Sequence, residues 1–134
     1  MSSVVADTHA LVWHLLGLPD LSSAGREALR AASTPGHSIF AASVTVVEVI
    51  YLTERGRVLP VAYDRLVCVL ASPDRWRVRL APLDLEIAQA VQQIPRDVVP
   101  DMPDRIIAAT ALHLGLPLVT KDARIRSLPL ETIW

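Results

Sequence analysis

Five acidic residues stand where chemistry can be built from carboxylates. Asp7 follows the short β-branched run Val4-Val5-Ala6, and Asp122 follows Leu118-Val119-Thr120 by two residues. Both therefore fall just past strands, where open α/β sheets bind their ligands. Taken singly, Asp7 also reads as a helix N-cap and Asp122 as a turn former. Glu48 is the only charge between Ser38 and Thr53, within Val44-Thr45-Val46-Val47-Glu48-Val49-Ile50-Tyr51-Leu52. A helix so apolar should be largely buried, and a buried carboxylate needs a cation, a metal or a proton; the other reading is a narrow solvated stripe through Thr45, Glu48 and Arg55. Asp101 and Asp104 open a helical stretch, Asp101 as an N-cap and Asp104 in the first turn, with Pro103 between them, an arrangement like a capping box. Carboxylates converging on one sheet edge repel unless a cation neutralises them, and hard oxygen donors favour magnesium or manganese.

The elements that must position these acids alternate in type. Strands are expected at Val4–Ala6, Ser38–Ala42, Arg75–Leu83 and Leu118–Thr120, with a further one at Leu130–Trp134. Helices are expected from Ala10 to Leu16, at Ser23–Ala32, Val44–Arg55, Ala62–Ala71, Asp84–Ile94 and Met102–Leu114, ended by Gly56, Pro73, Gly115 and similar breakers. Strands alternating with helices imply an α/β three-layer sandwich with a parallel central sheet of about five strands. Ala108 and Ala111, one face on from Asp104, would let that helix approach the sheet closely. The loops around Pro95–Pro103 and Ala123–Leu128 are the most irregular stretches.

Length and composition narrow the function further. With 134 residues the chain has room for a single domain, residues 1–134. At 51% apolar and 20% charged it is too hydrophobic to be disordered, and the apolar surplus suggests a homodimer. Thirteen basic residues against 14 acidic give a net charge of −1, so nucleic acid would have to be held by local patches. The first basic residue is Arg26, so no secretory leader is expected, and no apolar stretch reaches the ~20 residues of a membrane span. A cytoplasmic protein with no membrane contact is expected. Cys68, in Leu66-Val67-Cys68-Val69-Leu70, reads as a small buried hydrophobe. Arg75, Arg77 and Arg79 alternate as if on one face of an edge strand. Phosphate-binding loops, dinucleotide fingerprints and the serine-hydrolase elbow have no matching pattern.

Asp7-Thr8-His9-Ala10-Leu11, Ser43 with Glu48, and the run from Asp101-Met102-Pro103-Asp104-Arg105 through Leu116-Pro117-Leu118-Val119-Thr120-Lys121-Asp122 resemble PIN-domain proteins, most nearly the VapC toxins of toxin–antitoxin pairs. The resemblance spans essentially the whole chain. It implies an Mg2+- or Mn2+-dependent endoribonuclease with one or two ions held by Asp7, Glu48, Asp104 and Asp122, acting through a metal-activated water on a phosphodiester. Thr120 matches a supporting hydroxyl, and Asp101 an acid often found beside the site. Met102-Pro103 replaces the Pro-Phe pair familiar between the two acids. It further implies a cognate VapB-like antitoxin whose C-terminal segment lies across the acidic pocket, and a structured RNA substrate such as tRNA or rRNA. Arg105, Lys121, Arg124 and Arg126, beside two of the acids, are the candidate phosphate contacts. With aromatics at 4%, and half or more of them in apolar runs expected in the core, few rings remain for stacking on bases, so recognition should rest on RNA shape. Two other readings compete: a receiver-like signalling domain, which leaves Glu48 unexplained, and a catalytically silent PIN-fold binding module. A phosphatase built on a DxDx(T/V) motif fails because His9 occupies its second acidic position.

Overall fold

A computed structural model describes residues 3–134. Five strands, β1 (Val4–Ala6), β2 (Ile39–Ala42), β3 (Val78–Ala81), β4 (Leu118–Val119) and β5 (Thr132–Ile133), form one all-parallel sheet in the order β3-β2-β1-β4-β5. The period-two alternation of each strand divides the core in two. Val4, Ala6, Ile39, Ala41 and Val119 face a cluster completed by Leu11, Leu29, Leu66 and Val49. Val5, Ala42 and Leu118 face the other, completed by Ile87, Ile94, Ile107, Ala108 and Ile125.

The helices α1 (Thr8–Leu16), α2 (Ser23–Ala32) and α4 (Pro60–Ala71) supply the first layer, while α6 (Leu85–Ala90) and α7 (Met102–Leu114) supply the second. Ala108, Ala109 and Ala111 are fully buried, so α7 lies close against the sheet as its small residues allow. Helix α3 (Ser43–Glu54) leaves the end of β2 and touches both layers, through Val49 on one side and Val44 on the other. Among the described residues no helix is long and apolar enough to cross a membrane.

Several local expectations are corrected. Arg75–Leu83 is not one strand: Pro73 starts a short helix, α5 (Pro73–Trp76), and β3 begins only at Val78. Arg77 sits between them in the left-handed region at φ 58, its guanidinium donating to the His37 carbonyl at 2.8 Å, so the three arginines do not share a strand face. Only Arg79 lies in the strand, where it bonds Ser38 and Asp74. The stretch after Asp122 is a helical turn, α8 (Ala123–Arg126), and the helix after Asp84 ends at Ala90 before a 3-10 turn. Helix α3 is not largely buried either: only Thr45 and Val49 are, and Val47 and Tyr51 are about half exposed. Cys68 is exposed on the open side of α4. None of the six aromatic side chains is fully buried; Trp13, Phe40, Tyr63 and Trp134 pack partly against the core, and Tyr51 and Trp76 are exposed.

Candidate functional site

The strand order changes direction between β1 and β4. Beyond their carboxyl ends, loops leave on opposite faces of the sheet and a crevice is unavoidable. Asp7 and Asp122 flank that crevice. Each caps the helix it precedes: Asp7 Oδ1 accepts the Ala10 N–H at 3.0 Å, and Asp122 Oδ1 accepts those of Arg124 and Ile125 at 2.8 and 3.2 Å. Capping and site placement thus use the same residues. Thr120, fully buried between them, accepts the Asp122 N–H at 3.1 Å and donates to Asp7 Oδ2 at 2.5 Å. One hydroxyl therefore sets both acids against the sheet.

Glu48 reaches the same crevice from α3. Thr8, almost wholly buried at the start of α1, donates to Glu48 Oε1 at 2.5 Å and lies 3.1 Å from the buried Thr45 hydroxyl one turn earlier on α3. Asp104 enters from the first turn of α7, half-buried, above Ile107. Asp101 holds the backbone position of an N-cap, but its side chain makes no capping bond; it too lines the cleft. The capping-box reading is corrected at that point. The result is a cleft of about 410 Å³ walled by Asp7, Glu48, Asp101, Asp104 and Asp122, with Thr8, His9, Trp13, Ile107 and Lys121 completing it.

The carboxylates feel one another. Burial, followed by the charges of Asp122, Glu48, Asp101 and Asp7, pushes the Asp104 carboxyl up to about 7. Burial also raises Glu48 and Asp7, against the opposing hydrogen bonds from Thr8 to the first, and from Thr120 and the Ala10 N–H to the second. His9 lowers both, while neighbouring carboxylates raise them. Among the described residues no three His, Cys, Asp or Glu side chains are drawn close enough to cage an ion as they stand. Asp7, Glu48 and Asp122 are each held by hydrogen bonds of their own. The donor set is nevertheless all hard oxygen, the kind that suits magnesium or manganese, and Asp104 is raised to about 7 first by burial and then by its neighbouring carboxylates.

The basic candidates separate. Lys121 lines the cleft, and Arg124 and Arg126 are exposed on α8 just beyond it. Arg105 is not a cleft residue: its guanidinium donates to the carbonyls of Ile94 and Val91 at 2.8–3.1 Å, tying α7 to the turn that ends α6. Its Nε and Nη2 donors are engaged by the backbone. Besides Ile107, one turn on from Asp104, three cleft residues had no role assigned from the sequence: Thr8, His9 and Trp13. The only signal for them was their place on the first turns after Asp7.

The class is that of parallel α/β domains whose switch point is rimmed by carboxylates. The PIN domain family matches residues 4–130, and the chain belongs to that family. It is 30% identical to "Ribonuclease VapC22" of Mycobacterium tuberculosis over 128 residues, 95% of this chain and 92% of that relative. Its fold matches a chain of VapBC2 from Rickettsia felis, bound to a promoter DNA fragment, at TM-score 0.69 with 16% identity and 98% of each chain covered. It also matches a toxin–antitoxin complex from Klebsiella pneumoniae at TM-score 0.65 with 21% identity, covering 95% of this chain and 93% of that one. At those identities the likeness is one of fold.

Proposed function

We propose that the protein is the toxin of a toxin–antitoxin pair and an Mg2+- or Mn2+-dependent endoribonuclease, cleaving structured RNA of the tRNA or rRNA kind. The observation that carries this reading is the convergence of Asp7, Glu48, Asp104 and Asp122, with Asp101 beside them, in one cleft that also holds Lys121. The 30% identity to a relative named a ribonuclease points the same way. A receiver-like domain does not account for Glu48 being held into the acid cluster by Thr8.

Asp7, Glu48, Asp104 and Asp122 would hold one or two divalent ions. A bound ion of this type lowers the pKa of a coordinated water and stabilises charge on the attacked phosphate. The chain's own residues prepare the ground. Thr120 and Thr8 orient Asp7 and Glu48 through hydrogen bonds made before any ligand arrives. Asp104 must give up its proton for the full acid set to be charged. Lys121, Arg124 and Arg126 supply the local cations that a chain of net charge −1 needs to draw RNA toward an acidic cleft.

A VapB-like antitoxin would cover this site. Beside the cleft, and sharing Glu48 with it, runs an apolar groove of about 370 Å³ lined by Val44, Val47, Tyr51, Leu52, Met102 and Pro103. An antitoxin segment laid along it could extend a cationic side chain such as Arg onto the carboxylates. The exposed apolar side chains also support a homodimer, and action on cellular tRNA or rRNA would take place in the cytoplasm. Purified protein incubated with total RNA, with Mg2+, Mn2+ or chelator, should cut at a few mapped sites only when metal is present. The same target should be cut faster folded than as a linear oligonucleotide; no metal-dependent cleavage of any RNA would end the ribonuclease reading.

A further inference from the structure

Trp13 is a wall of the cleft that the proposed hydrolysis leaves unused. It follows Asp7 on α1, lines the same cavity as the five acids, and packs its inner part against the first core cluster. Its ring is braced rather than free: His9 lies at 5.8 Å between centroids with the planes tilted 47°, and Trp134 at 5.8 Å, tilted 52°. The Lys121 Nζ stands 6.0 Å from the ring centroid, the outer limit of a cation–π contact, and Lys121 is itself exposed. Lys121 is the chain's single lysine and the only permanent cation among the described residues that line the cleft.

That pairing has a chemical sense. A wall of carboxylates repels RNA and has no face on which a base can lie; a braced indole provides one, and the ammonium beside it meets a phosphate. Stacking on an aromatic ring tolerates any base and is worth about 1–3 kcal/mol per base. The exposed indole, Trp76, has Arg75 over its ring at 4.8 Å but lines a separate cavity with His14, Arg65 and Cys68, away from the acids.

We propose that Trp13 and Lys121 form a nucleobase subsite, in which an unpaired base next to the scissile phosphate stacks on the indole while the Lys121 ammonium contacts the RNA backbone. This rests on the ribonuclease reading and refines it: the preferred RNA presents at least one unpaired nucleotide at the cut, as a loop or bulge in a folded element does. It also adds a stacking contact to the expectation that, with few rings left for bases, recognition rests on RNA shape.

The test measures binding, so that it does not depend on turnover. Asp104→Asn protein in magnesium is titrated into two fluorescein-labelled probes, an oligoadenylate of about twelve nucleotides and an abasic ribose-phosphate chain of the same length, and anisotropy is read. The oligoadenylate should bind about tenfold tighter than the abasic chain. Adding Trp13→Leu should bring that ratio close to one, Trp13→Phe should keep most of it, and Lys121→Gln should weaken both probes by the same factor. Because each ratio is internal to one protein, a general loss of packing cannot imitate it. Equal binding of the two probes by Asp104→Asn protein, or an unchanged ratio in the added Trp13→Leu variant, overturns the subsite and leaves the ribonuclease reading standing. Binding of neither probe counts against both.

Discussion

Thr8 donates its hydroxyl to Glu48 at 2.5 Å across 40 residues of chain, joining the first turn of α1 to the middle of α3. The bond fixes which way the Glu48 carboxylate points, and Thr8 is held in turn beside the buried Thr45 hydroxyl. Thr8→Val should lower the RNA cleavage rate by about 10–100-fold, the usual cost of removing a group that orients a metal ligand. It should also destabilise by about 1–3 kcal/mol, because Thr45 loses its hydroxyl neighbour. Thr8→Ser should restore most of both. Initial rates and thermal melts on the pair check this, and a fully active Thr8→Val would show that Glu48 needs no such tether.

Removing the acids one at a time should divide them. Asp7→Asn, Glu48→Gln, Asp104→Asn and Asp122→Asn should each reduce metal-dependent cleavage by about 100-fold or more, since each removes a charge from the proposed metal shell. The amide oxygens of Asn can still cap α1 and α8, so the fold should survive. Asp101→Asn, which removes an exposed and uncapped carboxylate, should do less. Full activity in two of the first four would dismantle the site.

Asp104 makes stability fall as pH rises. Its carboxyl is raised from the ordinary 3.8 to about 7, so between those values the folded chain holds a proton that the unfolded chain releases. Stability is therefore greatest near pH 4, declines toward pH 7 and is flat above it, as far as this group contributes. Partial exposure screens the effect, so at pH 8 in chelator Asp104→Asn should melt about 3–6 °C higher than the parent, and no higher near pH 4. Mg2+ or Mn2+ competes with that proton, so metal affinity measured by calorimetry should weaken as pH drops below about 7. A pH-independent affinity would contradict it.

Arg105 and the α8 arginines should behave in opposite ways. Arg105→Ala deletes three donors to the Val91 and Ile94 carbonyls and should cost about 1–3 kcal/mol, with little change in RNA affinity of the folded protein. Arg124→Gln and Arg126→Gln should leave the melting temperature nearly unchanged while weakening RNA binding and flattening its salt dependence. Melting curves and binding at two salt concentrations separate the two outcomes.

Much of the frame was legible without coordinates because strand and helix leave periodic signals in a local window. Val4–Ala6, Ser23–Ala32 and Met102–Leu114 match their expected bounds, and the positions of Asp7, Asp104 and Asp122 follow from a strand end or a helix start. Asp7 and Asp122 needed no long-range information, since the capping that places them is local. Other features depended on what packs against what. Hydropathy made α3 look buried and Cys68 look internal, yet coverage of a helix face is decided by neighbours distant in the chain, and on α3 Val47 and Tyr51 stay about half exposed. Charge next to a ligand suggested phosphate contact for Arg105, but its partners are carbonyls 11 and 14 residues back on another turn. Residue types and their periods determined the parallel α/β frame and the acids at its edge. Only tertiary packing brought Thr8 and Thr45 to Glu48, and Trp13 to Lys121, because those contacts arise where separate elements meet and leave no periodic trace in the chain.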